Sequence, residues 1–204
     1  YISGEYLSVL DSDDFWVKNK LEIQLNKMLE ESTIDILYTA YRSHYEAQDS
    51  FKNSLTKLYL RFINFSDNFL FSGFVSTRKI IKNYNINFQT IMFKSSSIKA
   101  IPFDDRMSLT GDLDFIYRLL WIQKSSLYYL SDLTAYSRIH PKQLSRRSDL
   151  RWVIESYKVF YKIEKYMSTE EKELFKKYFI VFYYSSYLFR VKKFHKALLI
   201  KFSY

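Results

Sequence analysis

Asp11, Ser12, Asp13 and Asp14 form a polar run directly after the segment Tyr6-Leu7-Ser8-Val9-Leu10. That segment reads as a strand, and in open α/β sheets ligands collect beyond the carboxyl ends of strands. In extended chain two carboxylates one residue apart point to the same side, so Asp11 and Asp13 could serve one hard divalent cation, Mg²⁺ or Mn²⁺. Such an ion keeps positions open for diphosphate oxygens and neutralises the charge on a leaving nucleoside diphosphate. Taken alone, an Asp-x-Asp reads more plainly as a solvated acidic turn, with Asp13 or Asp14 capping the helix that follows. A calcium loop opening on Asp11 fails, because Phe15 and Trp16 stand where that loop needs a ligand and a glycine.

The elements that must position these residues follow from periodicity. Lys18 to Glu31 carries Leu21, Leu25, Met28 and Leu29 at helical spacing, and Ile34 to Tyr41 reads as a strand. Strand, helix and strand in that order predict an α/β sheet with crossover connections. Residues 43–86 have no clean period beyond a short helix over Val75 to Tyr84. Further on, Phe88 to Phe93 reads as a strand and Lys94 to Ala100 as a short helix. Asp114 to Gln123 is a helix with Phe115, Leu119 and Ile122 on one face. Leu127 to Leu130 and Thr134 to Arg138 read as two short strands. From Trp152 the chain is helical, with a break near Ser168-Thr169-Glu170-Glu171 where Ser168 or Thr169 would cap a new helix.

Composition narrows the chemistry. The 204 residues include three Gly, two Pro and no Cys. A Gly-rich phosphate loop is therefore absent from this sequence, as are disulfides, thiolate metal sites and a cysteine nucleophile. With 48% hydrophobic and 20% aromatic residues the chain can build a core. Seven of the nine net positive charges lie between Leu174 and Tyr204, which has seven Lys or Arg and no acid.

Three ordered stretches resemble the signature of family-2 nucleotide-sugar glycosyltransferases. Gly4-Glu5-Tyr6-Leu7-Ser8-Val9-Leu10-Asp11-Ser12-Asp13-Asp14-Phe15-Trp16, with Lys20-Leu21-Glu22 and Gln24-Leu25, is similar to the family's central strand, acidic cluster and following helix. Lys18 stands where the family often has a helix-opening Pro. Phe103-Asp104-Asp105, then Gly111-Asp112-Leu113-Asp114-Phe115 and Arg118-Leu119, resembles the acidic stretch that supplies the catalytic base. Gly111 replaces the Glu of the usual Glu-Asp pair there. Tyr136-Ser137-Arg138-Ile139-His140-Pro141, followed by Gln143-Leu144-Ser145, resembles the segment that closes the catalytic core.

The resemblance implies an incomplete GT-A (Rossmann-like) mixed sheet with flanking helices over residues 1–150. A basic, aromatic helical tail would follow over 151–204. It implies that Asp13 ligates a divalent cation, that Asp11 contacts the metal or the donor's ribose, and that His140 meets the metal or the diphosphate. Asp112 would be the catalytic base. Its plainer role is to cap the helix through Phe115 and Leu119, and both roles can coexist. Asp14, Arg138 and Asp114 are the remaining substrate-binding candidates; Arg138 could instead serve a structural ion pair, and Asp114 the helix dipole. His44 and His195 gain no support. Trp16, Trp121 and Trp152 read as core or half-buried residues, with sugar stacking the alternative for Trp16.

The implied reaction transfers a sugar, with inversion, from a nucleotide-sugar donor to a saccharide or lipid-linked acceptor in bacterial surface-polysaccharide synthesis. The family's front, which holds the nucleobase and ribose, has no match here. A piece continuing upstream of Tyr1, and inactive by itself, is therefore expected, since positioning supplies much of the rate. A catalytically dead interaction or membrane-surface module is the alternative. The apolar run Tyr178 to Phe189 has only twelve residues against the roughly twenty of a span. With the surrounding Lys and Arg it suits either an interfacial helix on anionic lipid, through residues 174–204, or a helix packed on the domain. The location expected is cytoplasmic, peripheral at the inner face of the cell membrane. Nucleic acid is not an expected partner, because no recognised binding motif accompanies the basic residues.

Overall fold

The computed structural model describes residues 3–45, 71–82, 86–140 and 150–179. They fall into two compact units. The expected segments Asp49 to Lys57, Pro141 to Ser145 and most of Tyr178 to Phe189, with His195, lie outside the described residues.

The first unit takes in Tyr1–Val75, Asn85–Ser97 and Ser126–Lys142. Its strands are β1 (Tyr6–Ser8), β2 (Phe15–Trp16), β3 (Ile36–Tyr45), β4 (Gly73–Phe74), β5 (Met92–Lys94) and β6 (Leu127–Ile139). They make one mixed sheet in the order β1-β5-β3-β6-β2, with β4 also paired to β6. β5 runs antiparallel to both β1 and β3, while β3 and β6 run parallel from Ile36 opposite Leu127 to Tyr45 opposite Ile139. The parallel register is pinned at its start by Asp35, whose carboxylate accepts from Ser126 N–H at 2.8 Å while its own N–H donates to Ser126 Oγ at 2.9 Å.

Two short strands were expected between Leu127 and Arg138. One long strand is found instead, because β6 bulges at Ser131, Asp132 and Thr134 opposite the consecutive residues Thr39 to Tyr41 of β3 and then resumes its pairing. A bulge of this kind adds residues to one strand without ending the pairing. The strand expected over Phe88 to Phe93 divides into a 3₁₀ turn, Phe88–Thr90, and β5.

Helix α1 (Lys20–Glu30) flanks this sheet. Periodicity pointed to the ridge of Leu21, Leu25, Met28 and Leu29 as its core face. The buried residues are instead Lys20, Gln24 and Met28, and Leu21 and Leu29 are 48% and 61% exposed. Met28 packs with Ile34, Leu37 and Met92, and Leu25 lies against the edge of that cluster. The helix is thus rotated from the most apolar choice, and a lysine and a glutamine go inward.

The second unit takes in Ser76–Tyr84, Ile98–Ser125 and Gln143–Tyr204. It holds α2 (Thr77–Lys82), α4 (Gly111–Trp121), α5 (Arg151–Ile163) and α6 (Thr169–Phe179); the single turn α3 (Ser95–Ile98) stands where the chain enters it. Leu113, Phe115, Ile116, Leu119 and Trp121 of α4 are buried, as are Val159, Phe160 and Ile163 of α5 and Phe175 of α6. Phe160 and Phe175 stack at 4.8 Å. Ser168 caps α6 as expected. Its Oγ accepts from Glu171 N–H at 3.2 Å, and Glu171 Oε2 accepts from Ser168 N–H at 2.9 Å, a reciprocal capping box. The expected α/β class, with a mixed sheet, flanking helices and a C-terminal helix, is what these units show; it is compatible with a partial Rossmann-like fold.

Candidate functional site

The acidic run is a loop between β1 and β2, closed by Asp14 N–H donating to Asp11 C=O at 3.1 Å. What fixes it is β6. Phe15 and Trp16 pair with Tyr136 and Ala135, and two residues further along β6 comes Arg138. Arg138 N–H donates to Asp14 Oδ1 at 2.7 Å, and Arg138 Nε donates to the Asp13 carbonyl at 2.8 Å. His140 Nε2 lies 3.0 Å from Asp13 Oδ2. The tertiary fold therefore brings together Asp11, Asp13, Asp14, Arg138 and His140, from two stretches more than a hundred residues apart. Neither Asp13 nor Asp14 caps α1, whose N-cap is Asn19 without a side-chain bond.

The three carboxylates are not equivalent. The His140 hydrogen bond holds Asp13 below the ordinary carboxylate range against an opposing desolvation, with help from its own backbone N–H and the charges of His140 and Arg138. Asp11 is pushed up by partial loss of hydration and by the Asp13 charge. Asp14 is also pushed up, chiefly by burial, although the Arg138 N–H bond opposes this. Like charges this close separate in their titration, and Asp13 is the one most firmly ionised. Its side chain is 40% exposed, so the charge is available to a ligand.

Asp13, with His140 at its Oδ2, offers the oxygen donor that Mg²⁺ or Mn²⁺ would use, such ions keeping waters or phosphate oxygens in their remaining positions. Among the described residues no group of three or more His, Asp or Glu gathers as a ready-made metal cluster. A cation here would draw the rest of its coordination from a ligand.

Asp112 and Asp114 belong to the second unit, in the first turn of α4. Asp112 is half-buried, and its Oδ1 accepts from Leu113 N–H at 2.8 Å; the N-cap position itself belongs to Thr110. Asp114 is fully buried. It accepts from Arg118 Nε at 2.8 Å and from Lys162 Nζ at 2.6 Å, and Lys162 also reaches Asp104 at 2.7 Å. Asp104 is bound on its other side by Arg106. Asp114 is committed to holding α4 against α5.

Two buried charged residues, Glu155 and Lys20, escaped the sequence reading. Glu155 of α5 is buried, and its carboxylate accepts from the N–H groups of Ser108, Leu109 and Thr110 and from the hydroxyls of Ser108 and Thr110, at 2.8 to 3.3 Å. Burial opposes its ionisation, but these donors outweigh burial and hold it below the ordinary range. It thereby fixes the segment Ser108 to Thr110 that leads into α4, just ahead of Asp112. The legible signal was an acid among Trp152, Val153, Ser156 and Val159 on the inward stripe of α5. Lys20 is the second. It is wholly buried, hydrogen-bonds Gln24, and sets its ammonium 4.3 Å from the centre of the Trp16 ring. Trp16 is half-buried and Trp121 fully buried, in keeping with the packing roles expected of them.

No protein-family model matches the chain. It is 27% identical over 108 residues to the UDP-Glc:alpha-D-GlcNAc-diphosphoundecaprenol beta-1,3-glucosyltransferase WfgD of Escherichia coli, across 50% of this chain and 34% of that protein. The chain thus spans about a third of the length of the curated relative it matches. A distant relative of this chain is therefore a glycosyltransferase, one named for a lipid-linked sugar acceptor.

Proposed function

We propose that this chain carries the diphosphate-facing part of a family-2, GT-A glycosyltransferase. In this reading the whole enzyme moves a sugar from a nucleoside-diphosphate donor to an acceptor hydroxyl, with inversion, in bacterial surface-polysaccharide synthesis. This piece by itself does not turn over. One observation carries the reading: the acidic loop and the Arg138–His140 segment meet, with His140 3.0 Å from Asp13. The named acceptor of the distant relative supports a lipid-linked sugar as the acceptor class.

Asp13 would hold Mg²⁺ or Mn²⁺, with Asp11 and His140 as its neighbours at the ion. Such an ion supplies charge neutralisation at the diphosphate oxygens. The protein's own share is orientation. Arg138 and Asp14 lock the loop to β6, so Asp13 meets its ligand without first paying to order the loop. Asp112 takes the proton from the acceptor hydroxyl as that oxygen bonds to the anomeric carbon and the bond to the diphosphate oxygen breaks, the electron pair leaving with the diphosphate. Asp114, tied to Arg118 and Lys162, holds the helix that carries Asp112.

Calorimetric titration with Mn²⁺ and uridine diphosphate tests the site. Binding of the nucleotide that requires Mn²⁺, and that Asp13→Ala abolishes, is the expected result. A chain that binds neither, or an Asp13→Ala variant that binds as well as the parent, would sink the reading and leave an interaction module in its place.

A further inference from the structure

Lys20 stands where several rules of chain chemistry disfavour it. It is the first residue of α1, where the helix dipole repels a cation, and its side chain is wholly buried. Buried lysines are normally paired with an acid. Among the described residues, the ammonium is met by the amide oxygen of Gln24, through a hydrogen bond, and by the face of Trp16. Such a breach of local rules is the expected mark of a functional constraint.

The neighbours of Lys20 show what it constrains. Gln24 Nε2 donates to Thr90 C=O at 2.7 Å, and Trp16 Nε1 donates to Gln89 C=O at 2.9 Å. Lys20 therefore closes a ring that ties β2 and α1 to the turn Phe88–Thr90. Trp16 is three residues beyond Asp13, and its strand is only two residues long. β6 holds this region from one side, through the two paired residues, Val17 and Arg138, and the Lys20 ring holds it from the other.

We propose that Lys20 is a positioning residue for the acidic loop: its ammonium, set against Trp16 and Gln24, holds β2 in register with β6 and so places Asp13 and Asp14 against Arg138 and His140. The inference rests on the reading of that loop as a ligand site only for its purpose, because the brace itself can be measured without any ligand. Burial lowers the lysine to about 8, and no charged side chain among the described residues acts on it. The groups that face it among the described residues are Trp16 of β2 and Gln24 of α1, and Gln24 in turn donates to the Thr90 carbonyl; none of these titrates in this range. The cation–π contact with Trp16 is present when the amine is protonated and is lost as pH rises through about 8, while the neutral amine can still donate to Gln24. Because burial lowers the lysine, overall folding stability rises across that window rather than falling.

The test is nuclear magnetic resonance on the full chain, with the Trp16 indole signal assigned by its loss in Trp16→Phe. In the parent, that signal is expected to move with a midpoint near 8 and to stop moving in Lys20→Met. In Lys20→Met the Arg138 amide, which donates to Asp14, should lose about tenfold of its hydrogen-exchange protection while the Tyr38 amide in the middle of β3 keeps its own. A Trp16 signal that does not titrate in the parent overturns the proposal even if the variant fails to fold. An Arg138 amide as protected in Lys20→Met as in the parent also overturns it. The Mn²⁺ and uridine diphosphate titration is read separately: a parent that does not bind refutes the ligand site, whereas the indole and amide results judge the brace alone.

Discussion

Titration at the acidic loop has opposite signs at neighbouring residues. Asp13 is depressed by His140, so its contribution to stability is complete above the unfolded carboxylate value, near 3.8, and is lost as pH falls through its lower folded value. Asp11 and Asp14 are raised, so at neutral pH their charges cost stability, and mild acidification toward 3.8 relieves that cost. Asp11→Asn should therefore leave the chain as stable or slightly more stable at pH 7, as read by thermal melting. His140→Gln should move the Asp13 carboxyl upward in a carbon-detected titration; an unmoved Asp13 would show that the 3.0 Å contact does not act on it. At Glu155, Ala leaves several buried donors without an acceptor. The expected loss is about 3 kcal/mol or more in denaturant unfolding, and Gln should lose less.

Among the elements, α1 offers the sharpest contrast. Met28 sits in the core and Leu29 beside it is largely exposed. Met28→Ala should cost about 2–5 kcal/mol, whereas Leu29→Glu should stay within about 0.5 kcal/mol. The reverse order would mean that the apolar ridge, not the Lys20–Gln24–Met28 face, is turned inward. Ser168→Ala removes half of the α6 capping box and should cost about 1 kcal/mol. The long strand β6 has the greatest leverage on the site. Its parallel pairing with β3 begins at the Asp35–Ser126 lock and ends at Ile139, next to His140, so an error of register at one end would misplace Arg138 at the other.

For the whole molecule, the uneven charge makes the testable statement. Arg190, Lys192, Lys193, Lys196 and Lys201 cluster in a stretch without acids. Replacing these five by Gln should abolish sedimentation with phosphatidylglycerol vesicles at low salt, and high salt should do the same to the parent. Pelleting unaffected by either change would remove the lipid surface from the proposed partners. Among the described residues no helix is long and apolar enough to cross a membrane.

Much was legible without coordinates, because it depends on local pattern. A strand running into Asp11 to Asp14, the helix after it, a strand over Ile34 to Tyr41 (found as Ile36–Tyr45), the Ser168 cap and the α/β class follow from periodicity and from groups a few residues apart. The family resemblance, not the local pattern, singled out Asp13, Arg138 and His140. The local pattern had no means of making Asp13 differ from Asp11, since that difference is a hydrogen bond from a residue 127 positions away. Only the tertiary structure decided that α1 turns Lys20 and Gln24 inward. Hydrophobic spacing ranks helix faces by apolarity, but the face chosen is the one whose polar groups find Trp16 and Thr90 waiting. Glu155 followed the same logic. A carboxylate becomes a favourable core residue only when a chain far away in sequence delivers the N–H groups that hold it.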